Sequence, residues 1–438
     1  MDWGLSLTLL IGGMVLLMAF GLPVAFAFLG INLLGAFIFL GGEAGLEQVA
    51  RNTVAALSNF SLAPIPLFLL MGEILFHTGV AFRAIDAIDR LITKVPGRLS
   101  IVAVGGGIVF SSLSGSTIAN TAVLGSALLP DMLKRGYHPT IAMGPIMATG
   151  SIAMLIPPSA LAVLLGSLAG MSISQLLIAG IVPGFLMGAA FLLYIIVRCR
   201  LNPSLAPSYE VEAMPFWDRV KPSLVYVVPL FTIFVVVVGS ILAGWATPTE
   251  SAALGSVAAF LACLAYGRVT VKNMMVSLLE TAKISVMVLF IIGASLTFSQ
   301  ILAFSGAADG LLGWIQGFDL SSFALLLAML VVLLFLGCFM DQVSMILITL
   351  PFFIPLAQAA GFDMIWFGVL MLVVMEISFT TPPFGMLLYV MKGVAPPGIT
   401  IGDVYRSTYP FILLELIVLA LIVLVPELAT GLPDWIRR

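Results

Sequence analysis

Charge is scarce in this chain. Asp, Glu, Lys and Arg make up 9% of its 438 residues, against about 25% in a soluble domain. With 61% hydrophobic residues and a mean hydropathy of +1.20, it reads as an integral membrane protein. Only two histidines occur, His77 and His138, and the three cysteines, Cys199, Cys263 and Cys338, stand alone in or beside apolar segments. That excludes a disulfide framework and leaves no zinc pattern. There is no basic tract for nucleic acid. No nucleotide-binding loop, Gly-x-Ser-x-Gly elbow or His-Glu-x-x-His motif is present, which argues against a pump or a membrane hydrolase. The N-terminus lacks the basic region of a leader, so apolar sequence running to Leu40 is expected to be a retained span.

Proline is plentiful, and its placement repeats. Pro23, Gly30, Pro130, Gly136, Pro157 and Pro158 recur 225 residues later as Pro248, Gly255, Pro355, Gly361, Pro382 and Pro383. With 25 prolines in the chain, about half of one Pro–Pro match is expected at any single offset, and four occur. Both Pro-Pro pairs interrupt long apolar segments. Two copies of a membrane unit with broken helices at matching places mark a secondary transporter whose site lies between the repeats.

The apolar runs are continuous rather than alternating, so the spans are helices. Residues 4–40 would be about 55 Å long as one helix, nearly twice the ~30 Å hydrocarbon core, so Gly21-Leu22-Pro23 turns the chain. Further spans are expected at 53–76, 139–170, 176–197, 224–244, 248–266, 284–303, 364–391 and 407–425, about ten in all. Residues 99–133 carry the polar knot Ser111–Asn120 between basic flanks, Lys94 and Arg98 before and Lys134 and Arg135 after. Such a segment reads as a re-entrant hairpin. Its copy, 321–358, has Gly337–Gln342 at its middle. Residues 82–92 and 305–320 are expected to lie at the interface. An N-terminus outside puts fifteen of the eighteen Lys and Arg on the inner side, leaving Arg51, Arg437 and Arg438 outside. Both termini are then periplasmic and the repeats inverted. The expected organisation is 1–197, first repeat; 198–222, cytoplasmic connector; 223–438, second repeat.

The polar knot Ser114–Asn120 supplies hydroxyls, an amide and exposed carbonyls, which suit a dehydrated Na+. Small residues that merely pack helices closely are the plain alternative. Facing the knot should be the break Ile156-Pro157-Pro158-Ser159, whose prolines free carbonyls of the preceding turn. The second copy offers Asp341 and the break Thr380-Thr381-Pro382-Pro383. A carboxylate at mid-membrane costs about 2.5–3.5 kcal/mol; Asp341 is read both as an N-cap and as charge beside a cation. Ser159, Pro158 and Pro383, at the two breaks, are the substrate candidates. Glu376 could bind an ion but is read first as a group holding two helices together. Glu73 and His77 read as a local i,i+4 bond, and Glu415 and Lys283 as snorkelling towards the inner boundary.

Taken in order, SGSTIANTAVLGSALLPDMLKRGY (Ser114–Tyr137), Ile156-Pro157-Pro158-Ser159, Met340-Asp341, Leu350-Pro351, Pro355, Gly361-Phe362-Asp363 and Thr381-Pro382-Pro383-Phe384-Gly385 resemble the large membrane subunit of a TRAP (tripartite ATP-independent periplasmic) transporter, the DctM-like permease family. The resemblance covers essentially the whole chain. It implies a bacterial or archaeal inner-membrane importer of an organic anion, driven by Na+, with an elevator-type ion-transporter fold. It also implies two partners, a small four-helix membrane subunit, here expected to be unfused, and a periplasmic substrate-binding protein. Ser114, Ser116 and Asn120 match the family's first Na+-binding hairpin; Asp341, Thr380 and Thr381 match the second. Pro139 faces Met364 in the repeat, a loose point in the symmetry. Substrate is left open among C4-dicarboxylates, sialic acids, other sugar acids and compatible solutes. The rival reading is a stand-alone Na+-coupled carboxylate or anion carrier of the same superfamily.

Overall fold

The computed structural model describes residues 2–92, 95–207 and 215–437. Lys94 and Arg438 fall outside the described residues, as do the side chains of 112–114 and of Arg437. Among the described residues every regular element is helical. The first half opens with α1 (Trp3–Leu7) and α2 (Gly13–Ala19), joined by a π-helical turn at Thr8–Gly12. Then come α3 (Val24–Phe39), α4 (Glu43–Leu57), α5 (Pro64–His77) and the short α6 (Val80–Leu91). A helix–turn–helix follows, α7 (Arg98–Ser114) and α8 (Thr117–Lys134). α9 (Pro139–Gly150) and α10 (Ala160–Leu168) are the two pieces of a broken helix, before α11 (Ile173–Ala179) and α12 (Ile181–Leu201).

The second half runs α13 (Phe216–Leu242), α14 (Pro248–Ala265), α15 (Val271–Phe304) and α16 (Ala307–Gln316). Its helix–turn–helix is α17 (Ser322–Gly337) and α18 (Gln342–Ala359). Its broken helix is α19 (Met364–Thr380) and α20 (Met386–Val394), followed by α21 (Ile401–Leu424) and α22 (Glu427–Arg437).

Among the described residues seven helices are long and apolar enough to cross a membrane: Phe60–His77, Ile173–Leu201, Phe216–Leu242, Pro248–Ala265, Val271–Phe304, Gln342–Ala359 and Ile401–Leu424. Three expected segments have different bounds. The span placed at 53–76 is cut after Leu57: the Asn59 side chain accepts from the Ser61 N–H at 3.0 Å, holding a 3-10 turn at Phe60–Leu62. Pro64, with no N–H to give, opens the next helix. The span placed at 284–303 belongs to a 34-residue helix whose polar first turns hid it; Thr270 caps it and Lys283 pairs with Glu280 at 2.6 Å. The segment 198–222, expected as a connector, is helical at both ends, because α12 continues to Leu201 and α13 starts at Phe216.

The sequence spacing returns in the helix bounds. α8 and α18 are both 18 residues long and begin 225 positions apart, at 117 and 342. α9 and α19 begin at 139 and 364, and each break holds a cis Pro-Pro bond, Pro157–Pro158 and Pro382–Pro383. Packing recurs too. α5 lies on α14 as α15 lies on α3, and α7 lies on α9 as α17 lies on α19. Across the halves α8 packs on α20 and α18 on α10. The first pieces of the broken helices form the centre: Ile141–Gly150 of α9 and Trp366–Thr380 of α19 are buried throughout. At Gly144 a Cβ would stand 2.5 Å from the Ser407 carbonyl oxygen, so only glycine lets α21 approach α9 this closely.

Candidate functional site

The turn of the first helix–turn–helix is built by Gly115 and Ser116. Gly115 adopts the left-handed conformation at φ 58° and ends α7. Ser116 starts α8, its Oγ accepting from the Ala119 N–H at 3.3 Å. A Cβ at Gly115 would stand 3.3 Å from the Pro158 carbonyl oxygen, so the turn rests on the Pro157-Pro158 break, as the sequence predicts. The Ser114 side chain lies outside the described residues.

One turn into α8, Asn120 is fully buried and its Nδ2 donates to Ser111 Oγ at 2.5 Å. Ser111 in turn donates to the Thr149 carbonyl at 3.0 Å. These bonds fix the amide so that Asn120 Oδ1 points away from them, and it has no partner; neither has Thr121 Oγ. A buried acceptor left unpaired costs about 1–3 kcal/mol unless something occupies it. A buried, unpaired amide oxygen such as Asn120 Oδ1 is a hard donor of the kind that a small, dehydrated cation takes.

The second turn is built differently. Asp341 caps α18: its Oδ1 accepts from the Ser344 N–H at 3.0 Å, and the Ser344 hydroxyl donates to Oδ2. The turn again rests on its own break, with Phe339 and Phe384 rings 5.5 Å apart and Gly337 against Ser378. Thr380 and Thr381 both donate to the Ile377 carbonyl, at 2.9 and 2.7 Å, which leaves their lone pairs, not their protons, for a ligand. Of the substrate candidates, Ser159 is buried and caps α10, accepting from the Ala162 N–H at 3.2 Å. The Pro158 carbonyl faces Gly115. The Pro383 carbonyl accepts from Tyr405 at 2.6 Å and from Tyr389 at 3.3 Å.

The two turns do not join through a hydrogen bond between Asn120 and Asp341, whose bonds go to Ser111 and Ser344. They converge on Glu376. Thr117, the first residue of α8, donates to Glu376 Oε1 at 2.8 Å, and Gln342, the first residue of α18, lies beside the same carboxylate. Glu376 thus holds helices together, the role read first from sequence, but it does so between the two turns. Glu415, in contrast, does not snorkel. It has no exposed surface, and its Oε1 accepts from Ser151 at 2.7 Å in the first break. Glu73, partly buried, meets His77 at 3.0 Å, the local i,i+4 contact read from the sequence. A sequence signal for Ser151 and Glu376 existed: they are repeat mates, 225 positions apart.

A family model described as the DctM component of the tripartite ATP-independent periplasmic transporter matches residues 11–428. The C4-dicarboxylate TRAP transporter large permease protein DctM of Pseudomonas aeruginosa is 32% identical over 93% of this chain and 94% of its own length. The 2,3-diketo-L-gulonate TRAP transporter large permease protein YiaN of Escherichia coli is 31% identical over 98% of each. Among solved structures, the YdaH transporter of Alcanivorax borkumensis superposes with a TM-score of 0.63 at 15% identity, covering 87% of this chain and 89% of that one, a likeness of fold alone. A family model matching residues 11–428 and about 30% identity to large permeases over nearly their whole length, on a membrane chain helical throughout its described elements with matched broken helices, place this chain in the DctM family of TRAP transporter large permeases, multi-pass membrane proteins that transport rather than catalyse.

Proposed function

We propose that this chain is the Na+-coupled permease of a three-part importer of an organic carboxylate. The observation that carries the Na+ reading is Asn120 Oδ1, buried and unpartnered at a turn that abuts the Pro157-Pro158 break. Asn120, the backbone of 114–116 and the carbonyls of the first break would take one Na+; Asp341, Thr380 and Thr381 would take a second. The two turns enter the membrane as re-entrant hairpins from opposite faces, in two inverted repeats whose termini are periplasmic. In an elevator cycle the hairpins and broken helices α7–α10 and α17–α20 move as one body against α3–α5 and α13–α15. The substrate would be a C4-dicarboxylate or sugar acid, the chemistry named for the Pseudomonas and Escherichia relatives.

A small membrane subunit and a periplasmic binding protein would complete the system, in keeping with the tripartite family. The test is uptake of labelled carboxylate into proteoliposomes. Transport should need an inward Na+ gradient, the small subunit and the binding protein together. Full uptake by this chain alone would favour the stand-alone carrier.

A further inference from the structure

Glu376 and Glu415 have no exposed surface, and no ion pair among the described residues includes either. Each carboxylate is held by one oxygen only, Glu376 Oε1 by Thr117 and Glu415 Oε1 by Ser151, while Oε2 of each has no partner. Glu376 stands on α19 and Glu415 on α21, two helices that pack against one another. One turn along α8 from Thr117, Thr121 Oγ is a third unpartnered oxygen. Thr117 and Thr121 both stand against Gly150, at 3.0 Å from where its Cβ would be, next in sequence to Ser151. Gln342 adds an unpartnered Nε2 beside Glu376; turned over about its last torsion, the amide offers its oxygen instead.

Two buried carboxyl groups and a hydroxyl, with no Lys, Arg or His among the described residues paired to them, are an incomplete set. Glu376 Oε2, Glu415 Oε2 and Thr121 Oγ have no hydrogen-bond partner. Oxygens around a hard cation behave this way: each sits about 2.3–2.6 Å from an ion of Ca2+ size, and Na+ is of similar size, so neighbouring ligands stand too far apart to bond one another.

We propose that Glu376 and Glu415, with Thr121, hold a monovalent cation of Na+ size at the seam between the two turns, a site separate from those at Asn120 and at Asp341. It adds to the Na+ reading of those turns and does not depend on it. The bound ion would tie the end of α8 to α19 and α21, so all three must part for it to leave.

Equilibrium binding of 22Na+ to the purified full chain in lipid tests this. Glu376→Gln should bind one ion fewer than the unaltered chain, Asn120→Ala one fewer, and the double variant two fewer. Thr121→Val, which keeps side-chain shape, should weaken binding several-fold and guards against a folding defect in Glu376→Gln. Unchanged stoichiometry in a folded Glu376→Gln protein overturns the site, while loss confined to Asn120→Ala overturns it and leaves the hairpin reading standing. An infrared band of a protonated carboxyl that persists at saturating Na+ and vanishes in Glu376→Gln would also overturn it, by making the occupant a proton.

Discussion

Ser151 and Glu376 occupy the same place in the two broken helices, 225 positions apart, and each ends in a hydroxyl–carboxylate bond. Ser151 gives its proton to Glu415 at 2.7 Å; Glu376 takes one from Thr117 at 2.8 Å. The repeat has kept the bond and exchanged its ends.

Thr117→Val preserves the shape of the side chain and removes that donor. Glu376 Oε1 would then lose its hydroxyl donor inside the protein, a loss of about 1–3 kcal/mol. Thermal unfolding of the purified chain in detergent should show a lower midpoint, and Thr117→Ser should restore most of it. An unchanged midpoint in Thr117→Val would mean that the carboxylate finds another donor.

Asn120→Ala deletes the unpaired Oδ1. A contact to a charged partner is worth about 1.5–3 kcal/mol, so the Na+ concentration for half-maximal uptake should rise about tenfold or more, with substrate affinity at saturating Na+ little changed. An unaltered Na+ dependence would place the ion elsewhere.

At Asp341 the cap and the charge can be separated. Asn caps a helix nearly as well as Asp, whereas Ala costs about 1 kcal/mol. Asp341→Asn should therefore unfold at the same temperature as the unaltered chain, yet lose most Na+-driven uptake. Retained uptake in Asp341→Asn would reduce the residue to a cap.

The bias of Lys and Arg sets the expected topology. The native cysteines are buried and unpaired, so they would first be replaced. Single cysteines at 135 and 200 should then react with an impermeant maleimide only from the cytoplasmic side, and one at 361 only from the periplasm. Labelling of 135 and 361 from the same face would dismiss inversion of the repeats.

Both helix–turn–helix units and both broken helices were legible within a few residues, because Gly115, Asp341 and the two Pro-Pro pairs act on their own backbone. What a residue does to its neighbours in sequence can be read there. Glu376 and Glu415 could not be placed that way. Glu415 sits in an apolar run that fits snorkelling equally well until Ser151, 264 positions earlier, comes into contact. The division of 53–76 was also missed, since a single Asn and a Pro within an apolar run do not end a helix by themselves; the Asn59–Ser61 bond closes the turn and Pro64 opens the next helix. For α15 the expected span, 284–303, was too short: Lys272, Asn273, Glu280 and Lys283 lie on one side of the helix, while its other residues pack on α3, α4 and α5.

The length of α15 bears on how the protein meets different membranes. Its 34 residues extend about 51 Å, so a thicker or thinner bilayer changes only how much of it protrudes. Its neighbour α3 has 16 residues, about 24 Å, less than a typical hydrocarbon core of about 30 Å. Lipid beside α3 has to thin or the helix has to sink, at a fraction of a kcal/mol for each ångström of mismatch. Sensitivity to acyl-chain length should therefore gather on the lipid-facing side of α3, while α15 behind it serves as a strut of fixed height.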